Sequence, residues 1–152
     1  MGGETLIAGG GALDHASLIT LEQANEEIAK APFVSWWDLS VKSVEHGCAS
    51  VLLPFRKDLL RPGDVLHGSS YEVASDVAMW VAIMTVVGIA PMAVTIEMKT
   101  SFFKGAKANL IAEAKVLKLG RRVTFGQAEV YSDGVLVAHS TLSYAMPANQ
   151  GG

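Results

Sequence analysis

From Val77 to Ile96 the chain carries no charged residue, and the stretch Val77-Ala78-Met79-Trp80-Val81-Ala82-Ile83-Met84 is apolar on every side of a helical wheel. A helix with no polar face is one enclosed on most sides, so the pattern predicts a long central helix from about Ser70 to Val87, stopped by Gly88 and Pro91. Four strand-like segments follow it: Met92–Phe103, Leu110–Leu119, Val123–Ser132 and Val135–Met146. In the first, Met92, Val94, Ile96, Met98, Thr100 and Phe102 alternate with Thr95, Glu97, Lys99 and Ser101, the period of a strand. Asp133-Gly134 is a strong two-residue hairpin turn between the last two. Before the helix, Leu21, Ala24 and Ile28 stand at helical spacing within Leu18–Lys30, with Thr20 and Glu22 suiting its start and Pro32 its end. Phe33–Val44 and Cys48–Phe55 read as strands around the turn-like Glu45-His46-Gly47, and Arg56–Leu66, with Pro62 and Gly63, reads as a polar loop. One buried helix against an antiparallel sheet of about five to six strands, an α+β arrangement, is the architecture these elements favour.

At 152 residues, half of them hydrophobic, the chain is most simply one domain. That domain is expected over 18–147, between a loose Gly-rich segment at 1–17 and a short tail at 148–152. Gly9-Gly10-Gly11 lacks the preceding strand that a dinucleotide fingerprint requires. A net charge of -3 with scattered Lys and Arg gives no polyanion-binding field, which argues against a nucleic-acid partner. The uncharged run is just long enough to suggest a membrane span, but Gly88 and Pro91 interrupt it, and no membrane association is expected. The first residues lack the basic start and apolar core of a signal peptide, and Leu6 stands where a myristoylation pattern needs Ser or Thr. The single cysteine, Cys48, excludes an intramolecular disulfide and reads as a small buried hydrophobe, which fits a reducing cytoplasm. His15, His46, His67 and His139 show no ligand spacing, so no metal site is predicted.

Asp76 breaks the apolar pattern. An acid at the edge of such a run is partly desolvated, which is costly unless it is paired or used. It therefore satisfies a buried polar contact or acts as a reactive acid. Glu72, one turn earlier on the same face, is its rival. However, Ser69-x-x-Glu72 is a capping-box pattern at the expected helix start, which predicts a structural role for Glu72.

The order helix, two strands, His-Gly-led helix and four strands, with His67-Gly68-x7-Asp76, resembles the hotdog-fold thioesterases of the PaaI type over roughly Leu21 to Pro147. Val94-Thr95-Ile96-Glu97-Met98-Lys99-Thr100-Ser101-Phe102 is similar to the family's third strand. Ala114-Lys115-Val116-Leu117-Lys118-Leu119-Gly120-Arg121 is similar to its fourth strand and turn, and Val137-Ala138-His139-Ser140-Thr141-Leu142-Ser143-Tyr144 to its ending. Two residues depart from the pattern: Ser69 replaces the second glycine of His-Gly-Gly, and Arg61 stands at a loop position often filled by Asn or Gln. The resemblance implies a hotdog fold and hydrolysis of an acyl- or aryl-acyl-CoA to free acid and CoA, with no cofactor beyond the CoA of the substrate. It also implies sites at a homodimer interface, with dimers commonly paired into tetramers. Ser69 and Arg61 leave open a catalytically weak acyl- or CoA-binding module, and the same fold also serves hydratases and dehydratases.

Thioester hydrolysis needs a donor to the developing oxyanion and a nucleophile or a base that activates water. Gly68 suits the first role, because free N–H groups point outward at a helix N-terminus and glycine lets a thioester oxygen come close. Asp76 suits the second, by direct attack through a mixed anhydride or as a general base. Eight residues along a helix separate the two by roughly 12 Å, too far for one carbonyl carbon, so they must come from two chains related by a two-fold axis. His67 either shapes the turn or assists the chemistry. Thr95 aligns with a family Ser or Thr that helps hold the attacking water, and is equally an ordinary β-branched strand residue. Arg61, Ser69, Lys104, Lys107, Arg121 and Arg122 are candidates for contacting CoA, the cations alternatively being solvated turn charges. Met79, Trp80, Ile83 and Met84 suggest an apolar acyl or aryl pocket and are also what a central helix needs for packing. Trp36 and Trp37 read as packing or interface aromatics.

Overall fold

The computed structural model describes residues 16–148, so the segments expected as tails fall almost wholly outside the described residues. Helix α1 (Leu21–Ala29) opens on a capping box in which Thr20 accepts from the Gln23 N–H and Gln23 bonds back to Thr20. A second short helix, α2 (Pro32–Trp37), precedes the hairpin β1 (Ser40–Glu45) and β2 (Cys48–Leu53). A 3-10 turn at Lys57–Leu59 and a two-stranded ribbon, β3 (Leu60–Arg61) and β4 (Val65–Leu66), lead into the long helix α3 (Gly68–Val87). Strands β5 (Val94–Phe102), β6 (Leu110–Lys118), β7 (Val123–Ser132) and β8 (Val135–Ala145) complete the chain.

The main sheet is fully antiparallel, in the order β1-β2-β6-β7-β8-β5. It wraps around α3 in the hotdog arrangement. The inward rows of the central strands are Ala49, Val51 and Leu53 on β2, Leu110, Ala112, Ala114 and Val116 on β6, and Gly126, Ala128 and Val130 on β7, all buried. Small residues there let the helix lie close, and Met79, Ile83 and Met84 fill the space between, each with no exposed surface. α3 is long and apolar enough to cross a membrane by length and composition, yet 67% of its most apolar window is buried inside the fold. It is core. Its C-terminus is set by Gly88, in the left-handed region at φ 87°.

The two sheet edges differ. The Asn25 side chain on α1 covers β1 by donating to the Val41 carbonyl and accepting the Val41 N–H, whereas β5 presents its outer edge uncovered, with Val94, Ile96 and Phe102 more than half exposed. The side of α3 toward that edge is likewise only partly covered. A stripe of exposed and half-buried residues, Ser69, Glu72, Val73, Asp76 and Trp80, runs along it at helical spacing.

Four local expectations change. Phe33–Trp37 is helical, not strand, because Pro32 occupies the first helical turn, where its missing N–H is not needed. Asp38, at φ 58°, then turns the chain into a strand that begins only at Ser40. The expected loop at 56–66 contains the β3–β4 ribbon, turned by Gly63 and Asp64 at positive φ. Ser69 does not cap α3: the helix begins at Gly68 with His67 as N-cap, no side chain bonds the cap, and Glu72 instead accepts from the Thr100 hydroxyl on β5 at 3.1 Å. The alternation in β5 is broken by a bulge between Thr95 and Glu97, which leaves Ile96 unpaired. Thr95 pairs with the inward Tyr144, so it lies on the same face as Met98 and Thr100 instead of opposite them.

Close approach of α3 to β7 depends on Gly126. A Cβ there would stand 2.6 Å from the Lys115 carbonyl oxygen and press on the Met79 side chain. Gly126→Ala is expected to lower unfolding free energy by about 1–3 kcal/mol through overpacking, read from urea denaturation. An unchanged midpoint would show that the helix–sheet contact has slack.

Candidate active site

Asp76 lies on the partly covered side of α3, facing β5 and β8. Its Oδ1 accepts a hydrogen bond from the Thr95 hydroxyl at 2.6 Å and another from the Tyr144 hydroxyl at 2.6 Å. The Tyr144 hydroxyl is also 2.8 Å from the Asp76 backbone carbonyl oxygen. Burial, and then the charge of Asp76 beside it, push the Tyr144 phenol well above its usual range, so it stays a donor. Sequence reasoning did not single out Tyr144. The available signal was a polar-tipped aromatic on the inward row of β8, a residue that needs a partner when buried.

These three residues sit at the polar end of an open cleft of about 440 Å³ whose other walls are Ala31, Phe33, Val77, Trp80, Pro91, Ala93 and Val94. The Trp80 indole N–H is already taken by the Ala90 carbonyl at 3.0 Å. The ring therefore presents only its apolar surface. Met79, Ile83 and Met84, the other residues considered for an apolar pocket, are fully buried packing residues outside this cleft.

Gly68 lies at the opposite end of the same helix face. As the first residue of α3, its N–H has no acceptor within the helix. It lines a second cleft, of about 460 Å³, with Arg61, Val65, Tyr71, Phe102, Phe103 and Lys104. The Tyr71 hydroxyl donates to the Lys104 carbonyl at 3.1 Å, near the start of the connection between β5 and β6. His67 precedes Gly68 with its ring 5.8 Å from that of Trp37, and Ser69 is exposed on the first turn. Arg121 and Arg122 are exposed in the β6–β7 turn, where the Arg122 carbonyl accepts from Met146 N–H and the neighbouring Val123 pairs with Ala145, the partner of Val94. That is the Asp76 end of the molecule.

One chain thus brings Asp76, Thr95 and Trp80 together, and separately gathers Gly68, Arg61 and Lys104. It does not bring the two groups together, because an unbroken helix holds Gly68 and Asp76 roughly 12 Å apart. Cys48 belongs to neither. Its thiol, raised chiefly by burial, lies on the far face of the sheet beside Lys115 and Glu113. Among the described residues, no group of three or more His, Cys, Asp or Glu is placed to hold a metal ion.

The sequence profile of the thioesterase superfamily matches residues 63–139. A protein of Saccharolobus solfataricus assigned by name as an esterase, SSO2140, is 33% identical over 126 residues, which are 80% of this chain and 89% of that one. Among solved structures, a mutant of phenylacetic acid degradation protein PaaI from Thermus thermophilus is similar with a TM-score of 0.69 and 29% identity, covering 76% of this chain and 99% of that one. Conserved protein PA5202 from Pseudomonas aeruginosa gives a TM-score of 0.72 and 28% identity, over 77% and 94% of the two chains. The chain belongs to the thioesterase superfamily.

Proposed function

We propose that this protein hydrolyses the thioester of an acyl- or aryl-acyl-CoA, with each active site shared between two copies of the chain. The observation that carries the reading is Asp76: a carboxylate tethered through one oxygen, with the other unclaimed by any protein donor among the described residues, at the head of an apolar cleft. Val77, Phe33 and the Trp80 ring form the acyl-binding wall. A second copy whose α3 runs antiparallel across the partly covered stripe brings its Gly68 to this Asp76, and pairing of the two uncovered β5 edges supplies the strand contacts.

In the site so formed, the Gly68 N–H of one copy receives the oxyanion that develops on the thioester oxygen. Asp76 of the other copy takes a proton from water as the hydroxide adds to the carbonyl carbon; when the tetrahedral intermediate collapses the C–S bond breaks, and the sulfur takes that proton back from Asp76 to leave as the CoA thiol. Alternatively its carboxylate adds directly, the thiolate departs, and water hydrolyses the mixed anhydride. Thr95 orients the carboxylate and the attacking water. His67 holds the turn that presents Gly68. Arg61, Ser69 and Lys104 of the copy that supplies Gly68, and Arg121 and Arg122 of the copy that supplies Asp76, converge on one site and are assigned to the CoA moiety, whose phosphates attract cations. A lone, partly buried cysteine suits a cytoplasmic enzyme.

Free-thiol release from a panel of acyl-CoAs tests the activity. Asp76→Asn should keep the fold and lose about 10²–10⁴ in kcat, while Glu72→Gln, which disturbs only the Thr100 contact, should retain most of it. Wild-type kcat in Asp76→Asn, or no hydrolysis by the parent protein, would end the reading, and a selective loss in Glu72→Gln would transfer the role to Glu72.

The shared site predicts complementation. Gly68→Pro removes the oxyanion N–H, and the backbone suits proline, since Gly68 is the first helical residue and His67 has extended φ -70° and ψ 156°. The Phe102 ring, 3.2 Å from where the new Cβ would stand, must tilt to admit it. Each verified hybrid of a Gly68→Pro chain with an Asp76→Asn chain retains one intact site, so its activity should approach about half that of the wild-type dimer. Folded hybrids as inactive as their parents, or an active monomer, would refute sharing.

A further inference from the structure

Resting on the reading of Asp76 as the working carboxylate, we infer that Tyr144 is a positioning residue: with Thr95 it pins Oδ1 of Asp76 and thereby assigns Oδ2 to the thioester or its attacking water. The two donors reach the same oxygen from two strands, Thr95 from the bulged edge strand β5 and Tyr144 from its neighbour β8, where they are directly paired. Two short bonds on one oxygen fix the rotation of the carboxylate plane, which a single bond leaves free. Tyr144 is the more rigid of the two, being 3% exposed, whereas Thr95 is exposed.

The phenol has a single proton and two acceptors, Oδ1 at 2.6 Å and the Asp76 carbonyl at 2.8 Å. The shorter, charge-assisted bond to the anion takes it. When Asp76 accepts a proton or is acylated, the carbonyl remains in reach, so the buried hydroxyl is satisfied in both states and can follow the change in charge without reorganising the fold. A phenylalanine would fill the same space and supply neither bond. On the face toward Asp76 the titratable groups are Glu72 on α3, which accepts from Thr100 of β5, and Tyr144 itself on β8, whereas Glu97 and Lys99 of β5 and His139 of β8 lie on the opposite face of the sheet.

Tyr144→Phe tests this, with kinetics and an activity-independent readout side by side. Kinetically, kcat should fall about 10- to 100-fold with KM nearly unchanged, and the acid limb of the kcat profile should move to higher pH, since a donor to the anionic carboxylate has been lost. Independently, the titration midpoint of the 13C-labelled Asp76 carboxyl in NMR should rise by about one pH unit. Replacing Tyr144 by 3-fluorotyrosine, a stronger donor of nearly the same shape, should move the midpoint the opposite way and covers the case in which the phenylalanine variant fails to fold. If the parent protein hydrolyses no thioester but the midpoint moves, the tether stands and the thioesterase reading falls. A midpoint and acid limb that stay at wild-type values in a folded variant would overturn the inference, as would an activity loss explained wholly by a lower Tm.

Discussion

Helix α3 sits within the curve of the sheet because the strands beneath it present alanine and glycine where most sheets present Val or Ile. Ala112, Ala114, Ala128 and Gly126 make the inner surface of β6 and β7 shallow, and Met79, Ile83 and Met84 occupy what remains. That contact leaves one side of the helix less covered, toward the uncovered edge strand β5. Asp76 and Gly68, each lining a cleft, lie along that side. Asp76 is placed where its charge is partly removed from water, and the cost of that placement is offset by two hydroxyl donors from β5 and β8. The same unbroken helix that positions Asp76 also holds Gly68 two turns away, and in the proposed function a second chain brings the two groups to one substrate.

Much of this was legible in the sequence, and for identifiable reasons. An uncharged helix-length run bounded by Gly88 and Pro91 has few readings, and Asp133-Gly134 adopts positive φ at both residues, as its turn type requires. Strand β7 begins and ends where its pattern places it. The two clefts, by contrast, depend on details with weak sequence signals. Phe33-Val34-Ser35-Trp36-Trp37 has the composition of a strand, and Pro32 and Asp38 decide the matter by conformation alone. Without the bulge at Ile96, strict alternation turns Thr95 away from the helix. Ser69 and Glu72 have capping-box spacing, but Thr100 on β5 takes the Glu72 carboxylate, a contact no local pattern reveals. Tyr144 is 68 positions from Asp76 in sequence, and only the folded sheet brings them into contact.

Membership of the thioesterase superfamily accounts for the architecture, and the residues at the site give it a specific chemistry. The cleft beside Asp76 is apolar along its other walls, and its indole N–H is already satisfied by the Ala90 carbonyl. The polar residues of that cleft, Asp76, Thr95 and Tyr144, gather at the end where a carbonyl carbon would lie. Cations stand at both ends of the helix face, where two antiparallel copies would bring them to the same substrate.

The central claim is that one thioester is held by two chains, and a crystal structure with a ketone analogue, in which a methylene replaces the sulfur of an acyl-CoA, tests it most directly. The account predicts the ketone oxygen within hydrogen-bond distance of the Gly68 N–H of one copy, with the carbonyl carbon facing Oδ2 of Asp76 from the other. An analogue contacted by Gly68 and Asp76 of the same chain, or bound away from Asp76 altogether, would contradict it.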